Sequence, residues 1–522
     1  MAWEGLAGRL YAVPAPAANY TGLAATSERL YVSRRGDDKA ALLSIAIGPD
    51  AQIETFHGAL DSFELSAEGD TLLLRKDNTA WIVPTGAKAP GDLAEMRVDL
   101  GGWRLNITPA EEWRQMFDDA WRMHRDLSFD PNMRGLDWEA IQRKYAPLVD
   151  RISHRAELGD LLGEMASELD ILHSQAGSGE LPRDEESGRD ATLAADFEPV
   201  EGGLRVRRII NGDPDLLDER SPLSRPEVDV KVGDVLVSVN RRPVRTRAEL
   251  SRTLVDQAGH PVLLEVRDPA GNTREVGATP LPARSLSWLR YRHWEQAQRA
   301  HVDRQSDGHI GYLHLYAMGG RDVADFAREY FAVNERAGLI IDVRGNRGGN
   351  VDSWIIGELA RTAWAFWQSP YAEESHGSHN MQRAFRGHIV VLIDHSTYSD
   401  GETFAAGIKS LDLAPLVGTT TAGAGIWLSD RNPLVDGRGV RIAEYAQFDI
   451  DGNWLIEGQG VAPDIEVQNL PRASFEGQDA QLDRAIELLK AKIAAEPVPV
   501  LRGKPIPPVG TPGSDVERGS GR

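Results

Sequence analysis

The 522-residue chain contains no cysteine, which excludes disulfides, thiolate nucleophiles, thiolate zinc sites and iron–sulfur clusters. Any side-chain nucleophile must therefore be an oxygen or a lysine. No run approaches the ~18 uninterrupted apolar residues of a membrane span, and the start lacks a basic region followed by an apolar one. A soluble polypeptide with no membrane partner is expected. Met1-Ala2-Trp3-Glu4-Gly5-Leu6 leads straight into strand-like sequence, the pattern of a fragment of a longer protein. Cations are scarce: 58 Lys and Arg stand against 79 Asp and Glu, a formal charge of −21. That excess disfavours nucleic acid as a partner. At ~150 residues per domain, the length predicts three or four domains.

Residues 1–105 carry short apolar runs, such as Arg29-Leu30-Tyr31-Val32 and Thr71-Leu72-Leu73-Leu74, separated by Gly, Asp and Asn turns. This is a β-meander, a small sandwich or the last blades of a propeller. Residues 106–180 read as helical, opening at Thr108-Pro109-Ala110-Glu111 with a cap, a first-turn proline and a glutamate three residues after the cap. Leu158, Leu161, Leu162, Met165, Leu169 and Leu172 then recur at helical spacing, predicting a helix whose end delivers His173 into the glycine-containing loop at Gly177. Residues 181–195 are polar and acidic, a linker.

Over 196–285, Val232-Gly233-Asp234-Val235-Leu236 to Pro243-Val244, a helix from Arg247 to Asp256 and the strand Val262–Val266 follow in an order that resembles a PDZ domain. The resemblance implies a peptide-binding sheet edge and backbone nest at Gly203 and Leu204. Between Leu204 and Arg252 eleven Arg or Lys face eight Asp or Glu, a local cationic excess. Residues 286–496 alternate apolar strands with helices, predicting an α/β domain with a largely parallel sheet. A Pro- and Gly-rich tail, 497–522, is expected to be disordered.

The strand ending at Asp394 runs through His395-Ser396-Thr397-Tyr398 to Ser399-Asp400-Gly401-Glu402 and a helix. A serine there meets unpaired backbone N–H groups and a partial positive charge, which suits a nucleophile and equally a helix cap. A Gly-x-Ser-x-Gly elbow is absent. The strand Asp342-Val343-Arg344 opens into Gly345-Asn346-Arg347-Gly348-Gly349-Asn350, where side-chain-free backbone can aim donors at an oxyanion. No Lys-Ser/Thr follows to make a phosphate loop. His395 is a rival base. His376-Gly377-Ser378-His379 lacks a third ligand in phase and reads as an exposed loop. Trp364, Trp367 and Trp427 read as core or pocket wall.

Taken as an ordered set, Asp342 to Gly349, Ser399 to Glu402, Val417-Gly418-Thr419-Thr420-Thr421 and Ile456-Glu457-Gly458-Gln459-Gly460-Val461-Ala462-Pro463 resemble the C-terminal processing peptidase superfamily, and within it the tricorn protease branch. The implied architecture is multi-domain α+β: a partial β-propeller-like meander, a helical domain, a PDZ-like domain and a crotonase-like α/β catalytic domain. Processing peptidases pair the serine with a lysine; at the matching stretch, Thr421-Ala422-Gly423-Ala424-Gly425, the lysine position is Ala424. The tricorn branch instead takes its base from a histidine, which carries over to His173. The resemblance further implies Ser399 as nucleophile, the Asp400 N–H and one of Gly348 or Gly349 as oxyanion donors, and Glu457 orienting the base through a serine. That serine position is Leu172 here. A cytoplasmic serine peptidase acting on short or unfolded peptides, homo-oligomeric and free of metal or other cofactor, is the expected function. Alternatives are a catalytically silent peptide-binding scaffold and a crotonase-like acyl-CoA enzyme.

Overall fold

The computed structural model describes residues 13, 15–35, 40–48, 51–102, 104–177, 189–369, 371, 379–429 and 431–506. The chain divides into two units, Met1–Thr108 and Pro109–Arg522. In the first, β1 (Tyr20–Ala25), β2 (Arg29–Arg34), β3 (Ala40–Ala46) and β4 (Ile53–Leu60) pair in sequence order. β5 (Ser62–Leu65), β6 (Thr71–Lys76) and β7 (Thr79–Pro84) form a second antiparallel sheet. Alternation sets the faces: Leu72 and Leu74 turn inward to Tyr31, Phe56 and Val83, while Arg75 stays outside.

The second unit opens with α1 (Pro109–Leu127), α2 (Trp138–Val149) and α3 (Arg155–Ser167). The indole N–H groups of Trp121 and Trp138 donate to each other's backbone carbonyls at 3.0 and 3.1 Å, so two large buried side chains leave no polar atom unsatisfied. Leu158, Leu162 and Met165 on α3 are fully buried, a contribution of roughly 1.5–3 kcal/mol each. α3 is shorter than its leucine spacing predicts. It stops at Ser167, Asp170 turns at φ 51°, and Leu172 is half exposed. His173 therefore sits in a turn beyond the helix, two residues before β8 (Gln175–Ala176).

The PDZ-like region comprises β9 (Ala191–Thr192), β10 (Ala195–Val200), β11 (Gly203–Ile209), β12 (Val235–Val239), β13 (Arg242–Pro243), α4 (Arg247–Leu254), β14 (Val262–Arg267), β15 (Thr273–Ala278) and β16 (Leu281–Pro282). The sheet runs β10-β11-β12-β14-β15. Two expectations are corrected here. Residues 191–195 are structured, with β9 paired to β16 and Leu193 and Ala194 buried, so they are not linker; 181–188 lie outside the described residues. Gly203 and Leu204 lie on an interior strand: Leu204 is fully buried, and a Cβ on Gly203 would meet Leu236 O at 2.4 Å. The edge strands of this sheet are β10, beside α4, and β15.

The α/β region follows: α5 (Ser285–Gln305), β17 (Ile310–His314), α6 (Gly320–Val333), β18 (Gly338–Asp342), α7 (Asp352–Leu359), β19 (His388–Ile393), α8 (Asp400–Ser410), β20 (Leu416–Gly418), β21 (Trp427–Ser429), β22 (Val440–Tyr445), β23 (Ile465–Glu466), α9 (Pro471–Phe475) and α10 (Ala480–Ala495). β17-β18-β19-β20-β23 form an all-parallel sheet. Its strands are apolar on both faces, as a sheet covered on two sides demands. Leu339, Ile341 and Val391 pack toward α6, α7 and α8; Ile340, Val390 and Leu392 pack toward α10. β22 pairs with both β21 and β8, and Ile426, Val440 and Ile442 join the core of the helices α1–α3. This seam carries the turn holding His173 onto the parallel-sheet region. Trp364, Trp367 and Trp427 lie largely at the surface rather than in the core.

Candidate active site

Ser399 occupies the turn between β19 and α8 with φ 57° and ψ −123°. A non-glycine residue there costs ~1–3 kcal/mol, so its surroundings must hold it. They do so mainly through Glu402, a fully buried carboxylate that accepts from Ser399 N (3.1 Å), Thr421 Oγ1 (2.6 Å), Gly423 N (2.6 Å) and Ala424 N (2.8 Å). One side chain thus ties the serine turn to the loop after β20. Ala424 is a fully buried methyl group whose N–H belongs to this same bond set.

The glycine loop 345–350 lies directly against the serine. A Cβ on Gly348 would come within 2.5 Å of Ser399 Cβ and 2.9 Å of Oγ. Asn346, fully buried, organises the loop. Its Nδ2 donates to Leu315 O (2.7 Å), its Oδ1 accepts from Gly348 N (2.8 Å), and its carbonyl accepts from Tyr398 N (3.0 Å). Met318 N donates to Gly348 O and Asn350 N to Met318 O, at 2.8 and 2.9 Å. These bonds set the two candidate glycines apart. The Gly348 N–H is spent on Asn346, whereas the N–H groups of Gly349 and Asp400 have no partner among the described residues.

His173 is buried and its ring lies 4.9 Å from that of Tyr398, the residue next to Ser399. Burial lowers its pKa below the ordinary histidine value, Arg441 adds to this, and the Ile426 main chain opposes it. Its Nδ1 has no hydrogen-bond partner among the described residues. Glu457 accepts from Gly425 N (2.9 Å) and Ile426 N (3.1 Å); burial raises its pKa, and those two N–H groups oppose the rise. Glu457 and His173 therefore face the same peptide segment at Ile426. Leu172 reaches this neighbourhood only through its carbonyl, which takes bonds from Gln175 Nε2 (2.9 Å) and Tyr398 OH (3.5 Å). Its side chain points to the exterior.

The other histidines stand apart from this arrangement. His395 is exposed on the wall of a cleft of about 1050 Å³ that also carries Gly345, Ser396 and Asn469 but not Ser399. His379 is buried, His376 to Ser378 lie outside the described residues, and no cluster fit for a metal is found among the described residues. Gly203 and Leu204 belong to the PDZ-like sheet and are not brought to Ser399 by any contact in the structure. Sequence reasoning named the Ser-Asp-Gly-Glu and Gly-Asn motifs without seeing what Glu402 and Asn346 do. Their signal was a carboxylate three residues after Ser399 and an amide three residues before Gly349.

Three family models match the chain: the tricorn protease C1 domain over residues 109–167, the tricorn protease PDZ domain over 191–282, and peptidase family S41 over 309–467. Tricorn protease homolog 1 of Streptomyces coelicolor is 34% identical across 95% of this chain and 47% of its own length. The chain belongs to the tricorn protease family. The tricorn protease of Thermoplasma acidophilum is 29% identical across 82% of this chain and 39% of its own. A crystal structure of the tricorn protease superposes with a TM-score of 0.81 at 26% identity, covering 91% of this chain and 47% of that one. The chain thus spans about half the length of the curated relatives it matches. Mixed α/β architecture with PDZ and S41 regions is common to the family models and the fold described above.

Proposed function

We propose that this chain carries a serine peptidase centre of tricorn type, acting on short or unfolded peptides by a Ser-His mechanism. The observation that carries the reading is Ser399, held in a strained turn beside two unspent backbone donors, with the buried ring of His173 packed against its neighbour Tyr398. In this scheme Ser399 Oγ attacks the peptide carbonyl carbon as His173 takes the hydroxyl proton. The C–N bond then breaks as His173 returns that proton to the departing amine, and water releases the acyl group by the reverse roles. The N–H groups of Gly349 and Asp400 hold the oxyanion. Neutral imidazole is required at the first step, and burial keeps His173 in that form near neutral pH. Glu457 fixes the Ile426 segment against which the histidine rests. We read the catalytic fold as crotonase-like and the strands of the first unit as propeller blades, one complete and one partial.

A fluorophosphonate probe tests this directly. The expected adduct maps to Ser399 by mass spectrometry, disappears in Ser399→Ala and forms far more slowly in His173→Ala. Peptide hydrolysis surviving in purified Ser399→Ala would overturn the assignment.

A further inference from the structure

The backbone N–H of Asp400 is one of the two proposed oxyanion donors. Its side chain turns back, away from that role, and is nearly fully buried. Oδ2 accepts from Val351 N at 2.7 Å and Asp352 N at 3.1 Å, the first residues after the glycine loop. Oδ1 is buried and meets no donor. Asp352, whose N–H is one of those two donors, is itself buried at the start of α7, and its carboxyl is the acidic neighbour of the Asp400 carboxyl. Two buried carboxyls facing each other attract only when one holds a proton; with both ionised they repel without solvent to screen them.

We propose that Asp352 and Asp400 form a proton-sharing pair that positions the oxyanion loop, joining the exit of the Gly345–Asn350 loop to the start of the nucleophile's helix. Asp352 is a positioning residue in this scheme, since it acts through the backbone at Gly349 and Asp400. Burial and the Asp352 carboxyl push Asp400 up to about 7, consistent with a proton retained at neutral pH. Among the described residues neither carboxyl forms an ion pair. Glu402, on the same helix, is turned to Thr421, Gly423 and Ala424. Arg347, on the glycine loop, stacks its guanidinium on Tyr316 at 4.8 Å. The Ser353 hydroxyl donates to Asp352 Oδ2 at 3.2 Å. Losing the proton would therefore separate the loop from the helix and misplace the Gly349 N–H relative to that of Asp400. Displacing one oxyanion donor costs ~10²- to 10³-fold in turnover.

This inference rests on the peptidase reading, and two measurements separate their fates. The first follows kcat and KM against pH for wild type, Asp352→Asn and Asp352→Ala. Wild-type kcat is expected to fall about tenfold per pH unit above about pH 7. Asp352→Asn, which can donate to Asp400 without a labile proton, should lose that alkaline fall. Asp352→Ala should lower kcat by ~10- to 100-fold near pH 6.5 with little change in KM. An alkaline limb retained by Asp352→Asn, or an undiminished kcat in Asp352→Ala, would overturn the proposal. The second is the infrared difference spectrum, wild type minus Asp352→Asn. A protonated-carboxyl carbonyl band should be present at pH about 6 and titrate away toward pH about 9. The buried acid Glu295 is common to both proteins and cancels. Absence of the band refutes the pair. A band in a protein that turns over no peptide would instead overturn the catalytic reading, and the positioning role with it, while leaving the shared proton standing.

Discussion

His173 shows how much a single residue's surroundings decide. An imidazole in water titrates near 6.5; here burial moves it lower, so it stays an acceptor in conditions where an exposed histidine would be protonated. The acid limb of kcat/KM should accordingly lie below pH 6.5 and be absent from Ser399→Ala-inactivated protein only because no rate remains. A limb at or above 6.5 in the pH–rate profile would show a different group as base. The same depressed pKa links to folding with a defined sign: the stability associated with neutral His173 is complete above 6.5 and is lost as pH falls through the lower folded value. Leu172 bears on this residue less than its place in the sequence implies. Its side chain is exposed, and Glu457 and His173 both meet the backbone at Ile426 instead.

At the scale of elements, the glycine loop and the serine turn interlock, and the two glycines should fail differently. Gly348 has φ 78°, and its missing Cβ is the space taken by Ser399. Gly348→Ala should fold, at a cost of ~1–2 kcal/mol for the left-handed backbone, yet lower turnover by ~10²-fold by pushing the nucleophile off line. Gly349 instead packs against backbone: a Cβ there would fall 1.8 Å from Met318 O. Gly349→Ala should melt at a clearly lower temperature because the Met318–Gly349 bridge cannot form. Thermal melts and kcat for both variants check this; wild-type turnover in Gly348→Ala would remove the loop from the active site.

Across the whole second unit, the PDZ-like and α/β regions are fastened by charges rather than by apolar packing alone. Arg292 of α5 is almost fully buried. It contacts Glu219 at 3.0 Å and Glu295 at 2.6 Å, with Asp213 and Glu329 at 3.7 Å. Glu219 belongs to the PDZ-like region and Glu329 to α6. Removing the cation would strand several buried carboxylates, so Arg292→Met should cost ~3–5 kcal/mol in chemical denaturation near neutral pH. Glu295 is already pushed up to about 8 by burial and by Glu329. Its stabilising protonated form is fully present below the unfolded value and is lost as pH rises through about 8. The penalty of Arg292→Met should therefore shrink at about pH 5, where the stranded acids can take up protons. A neutral effect across that range would show the cluster to be dispensable.

What the sequence determined by itself is local and ordered. Apolar strands bounded by Gly and Asp turns, the Ser399-Asp400 junction at a helix start, and the glycine loop after Asp342 were all legible, because strand period, capping and side-chain-free backbone leave marks within a few residues. The family resemblance was legible for the same reason, as motifs in a fixed order. Tertiary structure alone decided the rest. It ended α3 at Ser167 despite leucines that continue its period, because β8 pairs with β22 and draws the chain away. It buried Leu204 on an interior strand, since strand order in a sheet is not written in strand sequence. It spent the Gly348 N–H on Asn346 and left that of Gly349 unspent, a choice made by a side chain two residues away whose rotamer depends on Leu315. And it set Asp352 against Asp400, 48 residues apart in the chain, where burial turns two ordinary acids into one pair.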